Sequence, residues 1–84
     1  MEETRIIILY GTTWCGGSRR CRLLLEEHGI PYQWVDIDQD EQGQKMVEKI
    51  NRGFRSVPTL VWPDGSSLSE PTEAELEKKL GLME

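Results

Sequence analysis

The sequence predicts an α/β fold: a four-stranded mixed sheet with three helices, in the order β-α-β-α-β-β-α, as one domain over residues 1–84. An apolar run, a helical pattern and a second apolar run follow one another between Arg5 and Ile37, which is a βαβ unit with parallel strands and a right-handed crossover. Two later runs flank Pro63-Asp64-Gly65-Ser66, a turn signal that makes a β-hairpin. Thr72-Glu73-Ala74-Glu75 is a capping box opening a last helix.

Taken in order, Arg5 to Tyr10 is Ile-rich and bounded by Gly11, as a buried central strand should be. From Gly16 the period becomes helical, with Cys21, Leu24, Leu25 and His28 on one face and Gly29 as the stop. Tyr32 to Ile37, introduced by Pro31, is the second strand. Asp40 to Asn51 reads as a helix with Met46, Val47 and Ile50 as its apolar stripe. Thr59 to Trp62 and Ser67-Leu68 form the hairpin strands. The last helix turns Leu76 and Leu80 inward and ends at Gly81. The expected assembly places this helix on one face of the sheet and at least the first helix on the other.

Composition narrows the function. Ten basic against fifteen acidic residues give a net charge of −5, without the electrostatic footprint of a nucleic-acid binder. No apolar run approaches the roughly 20 residues that span a bilayer. An acidic start entering a strand does not read as a secretory signal, so a cytoplasmic protein is expected. Two cysteines and one histidine, without a C-x-x-C, make no recognisable metal site. A structural disulfide is not expected in a reducing compartment.

Chemistry concentrates at Cys15, in Thr12-Thr13-Trp14-Cys15-Gly16-Gly17-Ser18. It stands just before a helix, where unpaired N–H groups and the helix dipole favour an anion and lower a thiol pKa. Arg19 and Arg20, one turn on, would add to this if they point back, and Gly16 and Gly17 leave a substrate room to approach. The alternative, a buried inert cysteine, fits poorly with the polar loop before it. The second landmark is Ser56-Val57-Pro58-Thr59. A proline at a strand start marks an edge or a turn. A cis bond there would bend the chain towards the thiol, although an ordinary turn proline is the commoner reading.

Trp14-Cys15-Gly16-Gly17-Ser18, then Arg55-Ser56-Val57-Pro58-Thr59, then Asp64-Gly65-Ser66, in this spacing and element order, resemble the small glutaredoxins, and among them the mycoredoxin-like proteins of actinobacteria. The similarity spans roughly residues 5–82. It implies a thioredoxin-like fold and thiol–disulfide exchange, with Cys15 as the nucleophile and Pro58 as a cis-proline. It also implies that the backbone of Val57 pairs with the bound thiol peptide, a small case of β-augmentation.

The chain departs from that pattern at several points. Ser18 stands where a dithiol site carries its resolving cysteine, which restricts exchange to mixed disulfides with a small thiol. Cys21 does not fill the gap: six residues of helix is roughly 9 Å, beyond the ~7 Å limit for a bridge. It is expected in the core. Thr12 stands where many relatives have a Lys that meets a glutathione carboxylate. Ser69-Glu70-Pro71-Thr72 replaces a Gly-Gly-Asp-like signature, so glutathione binding should weaken and mycothiol or a related thiol is favoured. Arg55, Arg19 and Arg20 remain candidate anion contacts.

The resemblance thus implies a monothiol oxidoreductase with Cys15 and Ser18 as catalytic residues. Thr12, Trp14, Gly16, Arg55, Val57 and Pro58 would bind substrate, and Arg19 and Arg20 are candidates for thiolate stabilisation. Its partners would be a low-molecular-weight thiol, as co-substrate, and S-thiolated proteins; no tightly bound cofactor, metal, nucleic acid or membrane is implied, and a monomer is expected. Two alternatives stay open. Cys-Gly-Gly-Ser is similar to the site of monothiol glutaredoxins that share a [2Fe-2S] cluster, against which stand Gly17 and the missing Lys. A non-catalytic interaction module on the same fold is the other, and it predicts an ordinary thiol pKa. A C-x5-R phosphate loop is excluded because Cys21 occupies the arginine position.

Overall fold

Alternation along the strands divides the core in two, and that division positions the rest of the molecule. A computed structural model describes residues 6–82. Its elements are β1 (Ile7–Gly11), α1 (Gly16–Glu27), β2 (Tyr32–Asp36), α2 (Glu41–Ile50), β3 (Thr59–Val61), β4 (Ser67–Ser69) and α3 (Glu73–Leu80). They form one sheet in the order β2-β1-β3-β4. β1 runs parallel to β2 and antiparallel to β3, and β4 is antiparallel to β3. Element order and mixed sheet follow the sequence expectation; Arg5 lies outside the described residues.

Neighbouring side chains of a strand point to opposite faces. Ile7 and Leu9 of β1 and Leu60 of β3 therefore pack with Cys21, Leu24 and Leu25 of α1 and Leu76 of α3. Tyr10, Ile37 and Val47 of α2 form a second cluster, joined by Ile8, Val35, Val57 and Val61. Leu9, Leu25 and Leu60 lose all contact with solvent, each such burial stabilising by about 1.5–3 kcal/mol.

One expectation fails here. α1 and α3 share a face, and α2 covers the other. The cross-strand pair Leu60–Leu68 turns both side chains towards α1. The chain leaving β4 therefore comes off on that side, and Leu76 and Leu80 close over the same cluster. Apolar spacing shows which side of a helix is buried, not which face of the sheet receives it.

The helix ends follow local chemistry. The His28 amide bonds to Leu24 O at 3.2 Å and Gly29 takes φ +65°, so α1 stops there. His28 itself is exposed, a cap rather than part of the apolar face. In α2 the Asp40 side chain accepts from the Gly43 amide at 3.0 Å. Gly43 is required by close packing: a Cβ there would sit 2.8 Å from Val35 Cγ1. Helix and sheet meet at Gly43 and Val47, which leaves Met46, expected in the stripe, 41% exposed. Both halves of the Thr72–Glu75 capping box are formed, and Gly81 ends α3 at φ +77°. In the hairpin turn, Asp64 Oδ1 accepts from the Ser66 amide and hydroxyl at 2.9 and 2.7 Å.

Candidate active site

β1 is the central strand, and the loop after it delivers Cys15 to the start of α1. Cys15 is the N-cap residue, with extended backbone (φ −88°, ψ 121°). Its sulfur is partly exposed and lies 3.8 Å from the carbonyl oxygen of Val57, to which the thiol donates. The Val57–Pro58 peptide bond is cis. Cys15, Gly17, Arg20, Val57, Pro58, Glu70, Pro71 and Thr72 line an open groove of about 370 Å³.

The thiol pKa is lowered from its ordinary value. Partial burial works against ionisation, but the Ser18 hydroxyl and the Ser18 and Gly17 amides at the helix start favour the thiolate and outweigh it; Glu70 opposes them through its charge. This is the helix-start effect anticipated from sequence, with the side chain of Ser18 added. Arg19 and Arg20 do not carry it. Both are exposed; Arg20 lines the groove but acts on Cys21, and Arg22 lies over Trp34 with its guanidinium 4.3 Å from the ring. A lowered thiol pKa runs against the inert-module alternative.

Ser18 is fully buried, and its hydroxyl oxygen also accepts from the Thr12 amide at 3.3 Å. Gly11 makes room for it, since a Cβ at Gly11 would stand 2.4 Å from Ser18 Oγ. Gly17 similarly sits under Pro58, where a Cβ would come within 3.1 Å of Pro58 Cδ and 3.8 Å of the Cys15 sulfur. Gly16 faces open space, with only an Arg20 nitrogen within 4 Å of an added Cβ.

Four residues expected to bind substrate do not line the groove: Gly16, and also Thr12, Arg55 and Trp14. Thr12 is 3% exposed, buried beneath the loop with its hydroxyl unpartnered, because its backbone is tied to Ser18. Arg55 is drawn to Glu48, with Nε 2.7 Å from the carboxylate, and does not line the groove. Trp14 is 74% exposed beside Cys15, and its Nε1 donates to Asp38 Oδ2 at 2.8 Å. That bond pins the ring at the site's margin rather than in the groove. Cys21 is buried in the core with its pKa pushed up to about 11 by burial, and both cysteines are free.

Sequence reasoning missed Asn51. Its amide nitrogen donates to Val47 O at 2.8 Å and to Thr59 Oγ1 at 3.1 Å, and its carbonyl accepts from Ser69 Oγ at 2.6 Å. Thr59, fully buried, donates in turn to Ser56 O at 2.7 Å. This network joins the end of α2, both hairpin strands and the segment that presents Val57. The signal was an Asn at a helix end, ambiguous without its tertiary partners. Glu70, which the sequence marks only as part of a replaced signature, takes φ +51°, and its amide donates to Pro58 O at 2.7 Å.

A helix-start thiol held below its ordinary pKa, facing a strand-like backbone edge on a thioredoxin-like sheet, defines a thiol–disulfide oxidoreductase. The glutaredoxin family model matches residues 7–66. The chain belongs to the glutaredoxin family. Over 75 residues it is 37% identical to mycoredoxin 1 of Corynebacterium glutamicum, covering 88% of this chain and 91% of that one. It superposes on the glutaredoxin of Archaeoglobus fulgidus with a TM-score of 0.73 at 25% identity, over 92% of this chain and 87% of the other. The buckwheat glutaredoxin–glutathione complex shares the fold, with a TM-score of 0.68 at 20% identity, over 93% and 72% of the two chains.

Among the described residues, no group of three or more His, Cys, Asp or Glu could hold a metal ion, and no helix is long and apolar enough to cross a membrane.

Proposed function

We propose that this glutaredoxin works by a monothiol route, removing a low-molecular-weight thiol, mycothiol or glutathione, from S-thiolated proteins. The observation that carries the reading is Ser18: a fully buried hydroxyl that favours the Cys15 thiolate, at the position where a second thiol would stand. It assists the thiolate and cannot resolve a disulfide.

In the first step the Cys15 thiolate attacks the small-thiol sulfur of a mixed disulfide. The new sulfur–sulfur bond forms as the old one breaks, and the protein leaves as a thiolate that takes up a proton. A second small thiol, as thiolate, then attacks the bond on Cys15, forming a small-molecule disulfide and restoring the Cys15 thiolate. Each step exchanges one disulfide for another. The open edge at Val57 and Pro58 receives the extended backbone or chain next to the reacting sulfur, as in strand addition. Cys21, buried and with a raised pKa, takes no part. Likeness to mycoredoxin 1 and the absence of a cation at Thr12 favour mycothiol over glutathione, and a monomer suffices for this cycle.

The test is a turnover assay with glutathione, mycothiol and bacillithiol mixed disulfides in parallel. Turnover should vanish in Cys15→Ser and persist in Cys21→Ser. No turnover with any of the three would overturn the reading.

A further inference from the structure

We propose that Glu70 sorts the thiols reaching Cys15 by charge, favouring cationic and uncharged partners over anionic ones. The inference rests on the reading that Cys15 exchanges with small disulfides, and goes beyond it by assigning selectivity to one side chain.

Glu70 lines the same groove as Cys15, Val57 and Pro58. Its position is fixed by its backbone: the amide is tied to Pro58 O at 2.7 Å, and Pro71, with its ring-locked φ, follows. At φ +51° it occupies left-handed space where side chains are uncommon and Gly or Asn is favoured. Its carboxylate forms no ion pair among the described residues, so its charge is directed to solvent in the groove.

The wall that Glu70 belongs to is poor in positive charge. At the first turn of α3 the capping box engages the amides of Thr72 and Glu75, and Glu73 and Glu75 add carboxylates there, with Glu73 lining the adjoining recess. Among the described residues lining the groove the cation is Arg20 of α1, which also borders the recess beside Glu73. An incoming disulfide R–S–S–R′ must place one sulfur on Cys15 while R′ departs as a thiolate carrying the electron pair. A carboxylate on either half adds repulsion from Glu70 to that accumulating negative charge, and an ammonium relieves it.

The experiment measures second-order rates of mixed-disulfide formation on the reduced full chain by intact mass. The probes are cystamine, bis(2-hydroxyethyl) disulfide and dithiodiglycolate: a dication, an uncharged disulfide and a dianion. Wild type is compared with Glu70→Gln, which keeps the size, and Glu70→Asn, which suits a positive φ. Each variant uses one thiolate for all three probes, so any change in Cys15 pKa cancels in the cation-to-anion rate ratio. Both substitutions should lower that ratio by about three- to tenfold, the reach of one partly screened charge. Raising NaCl to about 0.5 M should compress the ratio in wild type more than in either variant. A ratio unchanged in both variants would overturn the proposal and leave the exchange function standing. Wild type unreactive even towards the uncharged disulfide would overturn both.

Discussion

The Thr12 amide donates to the Ser18 hydroxyl oxygen at 3.3 Å, across the loop that holds Cys15. That bond ties the Ser18 side chain to the loop, and Ser18 lowers the Cys15 pKa. The loop backbone thereby orients the donor that favours the thiolate. Ser18→Ala removes that donor and should raise the thiol pKa. Exchange at neutral pH should slow by about fivefold, in keeping with a hydrogen bond of about 1 kcal/mol. Ultraviolet titration of the thiolate, alongside the rate, checks this; an unmoved titration would count against the role given to Ser18.

Gly11→Ala should act on the same group from behind. The added methyl would stand 2.4 Å from Ser18 Oγ and 3.0 Å from the Trp34 ring, so Ser18 must shift. The expected result is a raised thiol pKa together with a loss of about 1–3 kcal/mol of stability from overpacking. Urea denaturation and thiol titration on one preparation separate the two effects. A destabilised protein with an unchanged thiol titration would detach Gly11 from the chemistry.

Ser18→Cys should restore a two-cysteine route. On oxidation the variant is expected to bridge Cys15 to the introduced thiol, read as a loss of about 2 Da in the intact mass, and to reduce a protein disulfide such as insulin's. If the wild type already reduces insulin at the variant's rate, the monothiol assignment fails.

The two cysteines should tilt the stability–pH curve in opposite directions. Cys15 has its folded pKa lowered from 9.0. Between the folded value and 9.0 the unfolded state holds the extra proton, so stability rises with pH in that window and the contribution is lost as pH falls. Cys21 is raised to about 11. Between about 9 and 11 the folded state holds the extra proton, and stability falls. Urea midpoints under reducing conditions should lose the rising limb in Cys15→Ser and part of the falling limb in Cys21→Ala. Tyr10 and Tyr32, also raised, leave the remainder.

Asn51→Ala should destabilise the protein by about 1–3 kcal/mol, because Thr59 Oγ1 and Val47 O lose a donor and Ser69 an acceptor. Since Thr59 also holds Ser56 O, the exchange rate should fall under conditions where the variant remains folded. A stable, fully active variant would remove the network from the account of the site.

Much of this was legible in the chain because its signals are local. Cys15 before a helical period, Pro58 at a strand start and the Thr72–Glu75 box each announce themselves within a few residues. What stayed hidden depends on partners far along the sequence. Thr12 reads as a substrate contact until its amide is seen to meet Ser18. Arg55 looked free until Glu48 claimed it. Arg20 looked like a cation for Cys15, yet Ser18 and Gly17 lower that thiol pKa instead. The face chosen by α3 follows from the side to which Leu60 and Leu68 turn, and periodicity alone carries no such direction.

The two ends of a single hairpin, Pro58 and Glu70, stand in the same groove, while its turn at Pro63–Ser66 lies at the opposite end of the strands. Strands advance roughly 3.3 Å per residue, and pairing here runs Thr59 to Ser69 and Val61 to Ser67. One residue inserted at the turn would have to shift that register or bulge out. In the first case Glu70 would move by about its own length relative to Pro58. Where the register follows, the remote turn is the molecule's gauge: its length sets how far along the strands Glu70 stands from Pro58, without touching a single atom of the groove.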